Sequence, residues 1–115
     1  HAMPAWAMRI AQAGSDSAIG FTSDTGPVTH LAAFLQKVKV LICEATLLQS
    51  DVSPMDRGHL TAQEAGRLAQ TCHAERLVLT HTWDELGADR LLQAASAVFN
   101  GRVELAWPGL EIEIS

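Results

Sequence analysis

At 115 residues, 48% of them hydrophobic, the chain is long enough to bury the core of one domain and too short for a second module. The net charge is −5, and the eight basic residues (Arg9, Lys37, Lys39, Arg57, Arg67, Arg76, Arg90, Arg102) are scattered, so no basic stripe tracks a phosphate backbone and extended nucleic-acid binding is disfavoured, while a short charged substrate is not. No run reaches the roughly 18 apolar residues of a membrane span, Arg9 follows the first apolar positions instead of preceding them as in a signal peptide, and Cys43 and Cys72 lack CxxC spacing, so two buried free thiols and a cytoplasmic location are expected.

Residues 6–11 alternate loosely and end near Gly14-Ser15, and residues 18–22 follow, which predicts a β-hairpin. Leu31, Phe34, Leu35 and Val38 recur at helical spacing and predict an amphipathic helix over 29–38, with Lys37 and Lys39 in its last turn. Val40-Leu41-Ile42-Cys43 is a short continuous apolar run with β-branched residues, a strand buried on both faces that ends in Glu44. Periodicity is lost over 47–58, where Ser50, Asp51, Ser53, Pro54, Asp56 and Gly58 mark a loop of functional length.

Thr61-Ala62-Gln63-Glu64 reads as a capping box opening a helix over 62–72 that buries Ala65, Leu68, Ala69 and Cys72. His59 precedes that helix, a place suited to anionic ligands. A second buried strand is expected over 76–80, feeding a loop of His81-Thr82-Trp83-Asp84-Glu85. A helix over 89–99 follows, with Asn100-Gly101 as a left-handed cap, and then a terminal hairpin of 103–106 and 110–114 around Trp107-Pro108-Gly109. Strands alternating with helices give the fold class α/β.

Asp24 and His81 each close a strand-like run, and a carboxylate and an imidazole delivered from strand ends are the donor types of a buried divalent-metal site. His1 and His59 are further candidates. Each has a plainer reading: Asp24 as a turn former before Gly26-Pro27, His59 as a pre-helix residue, His81 as a satisfied strand-end histidine and His1 as a residue left by cloning. His30 reads as a surface residue on the first turn of a helix and His73 as a partner of a helix dipole. Glu44 is either an outer acceptor for a ligating histidine or a solvated strand end, and Trp83 either a pocket wall or packing.

The run Phe21-Thr22-Ser23-Asp24-Thr25-Gly26-Pro27, then Val40-Leu41-Ile42-Cys43-Glu44-Ala45-Thr46, then His59-Leu60-Thr61-Ala62-Gln63-Glu64-Ala65, then Leu79-Thr80-His81 resembles the C-terminal half of the metallo-β-lactamase-fold hydrolases. The branch it resembles contains ribonuclease Z and class II cyclic-nucleotide phosphodiesterase-like proteins. Any one motif is weak; four in order, over essentially the whole chain, are strong. The resemblance implies one βα half of the four-layer αβ/βα fold and a hydrolase using two divalent metal ions, expected to be zinc, on a phosphodiester bond. It also implies roles: His1 as the third histidine on the first metal, Asp24 as the bridging carboxylate, His81 as the terminal ligand of the second metal, and His59 as proton donor or oxyanion stabiliser. The chemistry agrees, since a bridging ligand needs two acceptor oxygens and neutral imidazole suits zinc.

The departure from the pattern is large, because the signature His-x-His-x-Asp-His that supplies most ligands of both metals is absent. The missing half is therefore expected from elsewhere: a truncated or fragmented enzyme, a complex whose other chain supplies it, or a second copy of this chain paired through an exposed inner sheet face. A fragment of this kind is expected to be nearly inactive alone. A small phosphodiester is the expected substrate over a long nucleic acid, and a non-catalytic half-domain that self-assembles is the alternative.

Overall fold

The computed structural model describes residues 7–11, 13–23, 30–46, 60–82 and 87–112. Its elements in chain order are β1 (Met8–Ala11), β2 (Ala18–Phe21), α1 (Leu31–Phe34), β3 (Val40–Glu44), α2 (Ala62–Thr71), β4 (Arg76–Thr80), α3 (Ala88–Ser96) and β5 (Arg102–Leu105). The five strands form one sheet in the order β1-β2-β3-β4-β5. The β1–β2 hairpin is antiparallel and every later pair is parallel, with Ile42 opposite Phe21 and Val78 opposite Ile42. Parallel neighbours joined by crossovers of one hand place all three helices on one face.

That face holds the core. Leu41, Cys43, Leu77 and Leu79 project from β3 and β4 onto Leu31, Leu35, Val38, Ala62, Ala65, Ala69, Cys72, Leu91, Ala95 and Phe99. Small residues on α2 let it sit close to its neighbours, and at Gly66 an added Cβ would lie 2.5 Å from the carbonyl oxygen of Ala95. Both thiols are buried and unpaired with each other, as expected, and burial drives the pKa of each upward, Cys43 most strongly.

The opposite face is apolar over half its width. Register aligns two rows across the sheet, Met8-Phe21-Ile42-Val78-Glu104 and Ile10-Ile19-Val40-Arg76-Arg102. Met8 and Ile10 are 46% and 56% exposed, and Ile19, Phe21 and Ile42 are half-buried. On β4 and β5 the rows turn charged, with Arg76 donating to Glu104. That guanidinium holds the Glu104 carboxyl below its ordinary range.

Three expectations need correction. The helix expected over 29–38 is only four residues long, Leu31–Phe34. Lys37 adopts a left-handed backbone (φ 60°) and gives its amide to the Cys72 carbonyl at 2.7 Å, while Arg9 Nη1 donates to the Gln36 carbonyl at 2.7 Å. Tertiary partners thus take the groups that a longer helix would pair internally. Leu35 and Val38 are buried as their spacing implied, whereas Phe34 is exposed.

The second correction concerns α3, which ends at Ser96, with no left-handed residue at Asn100 or Gly101. Gly101 is required for space: a Cβ there would meet Phe99 Cζ at 2.3 Å and the Glu75 carbonyl oxygen at 2.7 Å. The third is the terminal hairpin. β5 pairs in parallel with β4, and Leu110 to Ile112 form no strand after the turn in which the Leu110 amide donates to Trp107 O. The loop expected over 47–58 lies outside the described residues.

Candidate functional site

In a parallel sheet the strands end together, and ligands of open α/β sheets bind beyond those carboxyl ends. Here β2, β3 and β4 deliver Thr22-Ser23, Ala45-Thr46 and His81-Thr82 to a single edge. The edge is stitched laterally: Thr22 N donates to Ile42 O at 3.0 Å, Glu44 N to Thr22 Oγ1 at 3.3 Å, and Ala45 N to Thr80 O at 3.0 Å.

Two of the four described non-glycine residues with positive φ stand on this edge, Ser23 (φ 59°) and His81 (φ 55°). A left-handed backbone costs an L-residue roughly 1–2 kcal/mol. Such conformations gather where a chain must be re-aimed at a site. At His81 the turn ends β4 and sets the side chain on the surface beside Thr46.

The polar centre of the edge is Glu44, only 1% exposed. Its Oε2 accepts from Thr46 N at 3.1 Å and from Thr46 Oγ1 at 2.7 Å, and its Oε1 accepts from Leu60 N at 3.1 Å. Thr46 Oγ1 is 3.0 Å from His81 Nδ1 and 3.0 Å from the His81 carbonyl. The Thr46 hydroxyl has one proton, and the Glu44 carboxyl is its closest acceptor; with that proton given to Glu44, the hydroxyl oxygen can accept from Nδ1–H. In the tautomer with its proton on Nδ1, the His81 ring has Nε2 as its acceptor nitrogen.

The start of α2 is built as its sequence demands. Glu64 N donates to Thr61 Oγ1 at 3.1 Å and Thr61 N to Glu64 Oε1 at 2.9 Å, the reciprocal capping box. Leu60, buried in the core, gives its amide to Glu44, so the lead-in to α2 is tied to the end of β3.

Of the residues singled out from sequence, His81 stands at this edge. His1, Asp24, His59 and Trp83 lie outside the described residues; Ser23 immediately precedes Asp24 and Leu60 immediately follows His59. Among the described residues no three His, Cys, Asp or Glu side chains gather as a metal cage. The donor chemistry at His81 nonetheless fits a divalent ion, because its ring is held through Nδ1 by a carboxylate-backed hydroxyl. Glu44 is buried, which removes its reading as a solvated strand end. Thr46 was not identified from sequence; its signal is a hydroxyl two residues beyond an acid at a strand terminus. His30 is exposed, as expected, and His73, also exposed, follows the C-cap of α2 with φ 58°.

Residues 1–82 match the family model described as the beta-lactamase superfamily domain. Ribonuclease Z of Aeropyrum pernix is 36% identical over 101 residues, spanning 84% of this chain and 32% of the relative. The metallo-beta-lactamase fold protein YhfI of Bacillus subtilis superposes with a TM-score of 0.85 at 30% identity, covering 96% of this chain and 44% of that one. The short form of human tRNase Z superposes with a TM-score of 0.70 at 28% identity, covering 100% and 40% respectively. The chain therefore spans about a third of the length of the ribonuclease Z relative it matches.

Proposed function

The chain belongs to the beta-lactamase superfamily and carries part of the metallo-β-lactamase fold, and on that premise we propose that it is the C-terminal portion of a metal-dependent hydrolase acting on phosphodiester bonds. The observation that carries this reading is the Glu44–Thr46–His81 chain of hydrogen bonds at the carboxyl edge of the sheet. It holds the His81 ring at the edge where open α/β sheets gather their ligands, in a chain related to ribonuclease Z.

In this reading Asp24, His81 and His1 would be the ligands this chain contributes to the divalent ions. The other ligands come from residues outside this chain. Zinc suits this donor set, and the bound metals supply Lewis acidity to the phosphoryl group and a nucleophile near neutral pH. His59 gives a proton to the leaving oxygen or stabilises the developing negative charge, a role worth about 10²–10⁴ in rate for a placed general acid. The net charge of −5 and scattered basic residues favour a small phosphodiester over a long nucleic acid.

The apolar rows on the sheet face away from the helices are exposed only toward β1, since Val40 and Val78 within them are buried. Exposed Met8 and Ile10, continuous with Phe21, Ile19 and Ile42, form a surface that water disfavours. Its occupant is the remaining part of the protein, since the matched relatives are two to three times longer than the segment they share with this chain. The same face also supports the second reading, a half-domain paired with its own copy and without catalysis.

The intact protein tests the first reading by hydrolysis of bis-p-nitrophenyl phosphate. The expected result is activity removed by chelator, restored by zinc, and lowered at least about 100-fold by His59→Ala. Chelator-insensitive turnover, or a His59→Ala variant as active as wild type, contradicts it.

A further inference from the structure

We propose that Thr22 is a positioning residue of this edge: its buried hydroxyl ties the chain leaving β2 to the end of β3 and thereby sets the peptide bond that leads into Asp24. For its purpose the proposal rests on the metal-hydrolase reading; for its geometry it rests on the hydrogen bonds of Thr22 and the backbone of Ser23.

In a parallel ladder a residue gives its amide to one neighbour of the residue opposite and accepts at its carbonyl from the other. Phe21 lies opposite Ile42, and the amide of the next residue, Thr22, donates to Ile42 O at 3.0 Å as the ladder requires. The following rung would join the Glu44 amide to the Thr22 carbonyl. That amide goes instead to Thr22 Oγ1, at 3.3 Å. A side chain thus stands in for the main-chain acceptor at the point where the main chain turns away, for Ser23 is left-handed at φ 59°. The same hydroxyl gives its one proton to Ser23 O at 2.9 Å. Ser23 O and Asp24 N belong to one planar peptide unit, so a bond to that carbonyl constrains the plane through which the chain reaches Asp24. Thr22 is buried, so water does not substitute for its hydroxyl.

Valine at position 22 keeps the shape of threonine and removes the hydroxyl; serine keeps the hydroxyl and loses only a methyl. The test uses the intact protein, ¹⁵N-labelled and stripped of metal, in a weakly aligning medium, where the residual dipolar coupling of the Asp24 N–H reports the tilt of the Ser23–Asp24 peptide. Zinc is then titrated. Thr22→Val is expected to change that coupling, to speed Glu44 amide exchange about tenfold, and to raise the zinc dissociation constant about 10–100-fold. Thr22→Ser is expected to keep all three at their wild-type values. Val38→Ala, which removes buried volume from the turn before β3, controls for lost stability and is expected to leave the Asp24 coupling and the zinc dissociation constant unchanged.

A Thr22→Val protein with the wild-type Asp24 coupling overturns the proposal whatever its zinc affinity, and so does a Thr22→Ser protein that behaves as Thr22→Val does. In a wild type that binds zinc, a Thr22→Val dissociation constant no higher than that of Val38→Ala overturns it as well. Should Thr22→Val not fold, Thr22→Cys, whose thiol is a weak donor and a weak acceptor, takes its place under the same expectation and the same refutation. A wild type that takes up no zinc while the coupling responds as stated removes the hydrolase reading and leaves the positioning role of Thr22 standing.

Discussion

Replacing Gly66 with alanine sets two effects of known size against each other. In a helix interior alanine is preferred to glycine by about 0.8–1.0 kcal/mol. At this position, however, the new Cβ would sit 2.5 Å from Ala95 O, 2.8 Å from Val98 Cγ2 and 3.0 Å from Ala95 Cα. The nearest atom is backbone of α3, which cannot swing aside as a side chain can. Overpacking of this kind costs about 1–3 kcal/mol. The difference is a net destabilisation of about 1 kcal/mol, measured by urea unfolding of matched variants. In a double-mutant cycle, Val98→Ala should recover less than about half of that loss, because the carbonyl contact remains. The shift matters for function, since a displaced α2 moves Leu60, which is bonded to Glu44. A Gly66→Ala protein as stable as wild type, or more so, would refute the close approach of α2 and α3.

The capping box gives a second prediction: Thr61→Ala should lower stability by about 1 kcal/mol in the same urea assay, and no change would place the start of α2 elsewhere. Cys43 and Cys72, buried with raised pKa values, should resist a disulfide reagent in the native state and react fully only in denaturant; rapid native labelling of both would contradict the core as described. Glu104 is held below its ordinary value by Arg76, so its contribution is present above about pH 4.5 and lost as pH falls through the lowered folded value. Stability measured against pH should therefore show a shallower acid limb in Glu104→Gln, and an identical limb would argue against the pair.

Local signals carried the parts of the fold that are locally determined. The Thr61–Glu64 box and the apolar runs of β3 and β4 encode their elements within a few residues, and each lies where its residues predict. The α1 region fails for a long-range reason. Its apolar spacing does describe which residues are buried, but the carbonyl of Cys72 and the guanidinium of Arg9 decide where the helix stops. Val103 to Leu105 was equally ambiguous, because a strand's own residues do not say whether it pairs with the next strand or with an earlier one. At the site, His81 was legible as a polar residue closing a hydrophobic run. Thr46 was not, since its role depends on Glu44 and His81 meeting across neighbouring strands.

The proposed function makes Asp24 and His81 ligands of divalent metal, and the metal content of the purified intact protein tests that proposal most directly. Plasma mass spectrometry should find zinc bound to wild type, and Asp24→Ala and His81→Ala should each lose at least one ion per protein while retaining the fold by circular dichroism. Equal metal content in wild type and both variants would contradict the claim.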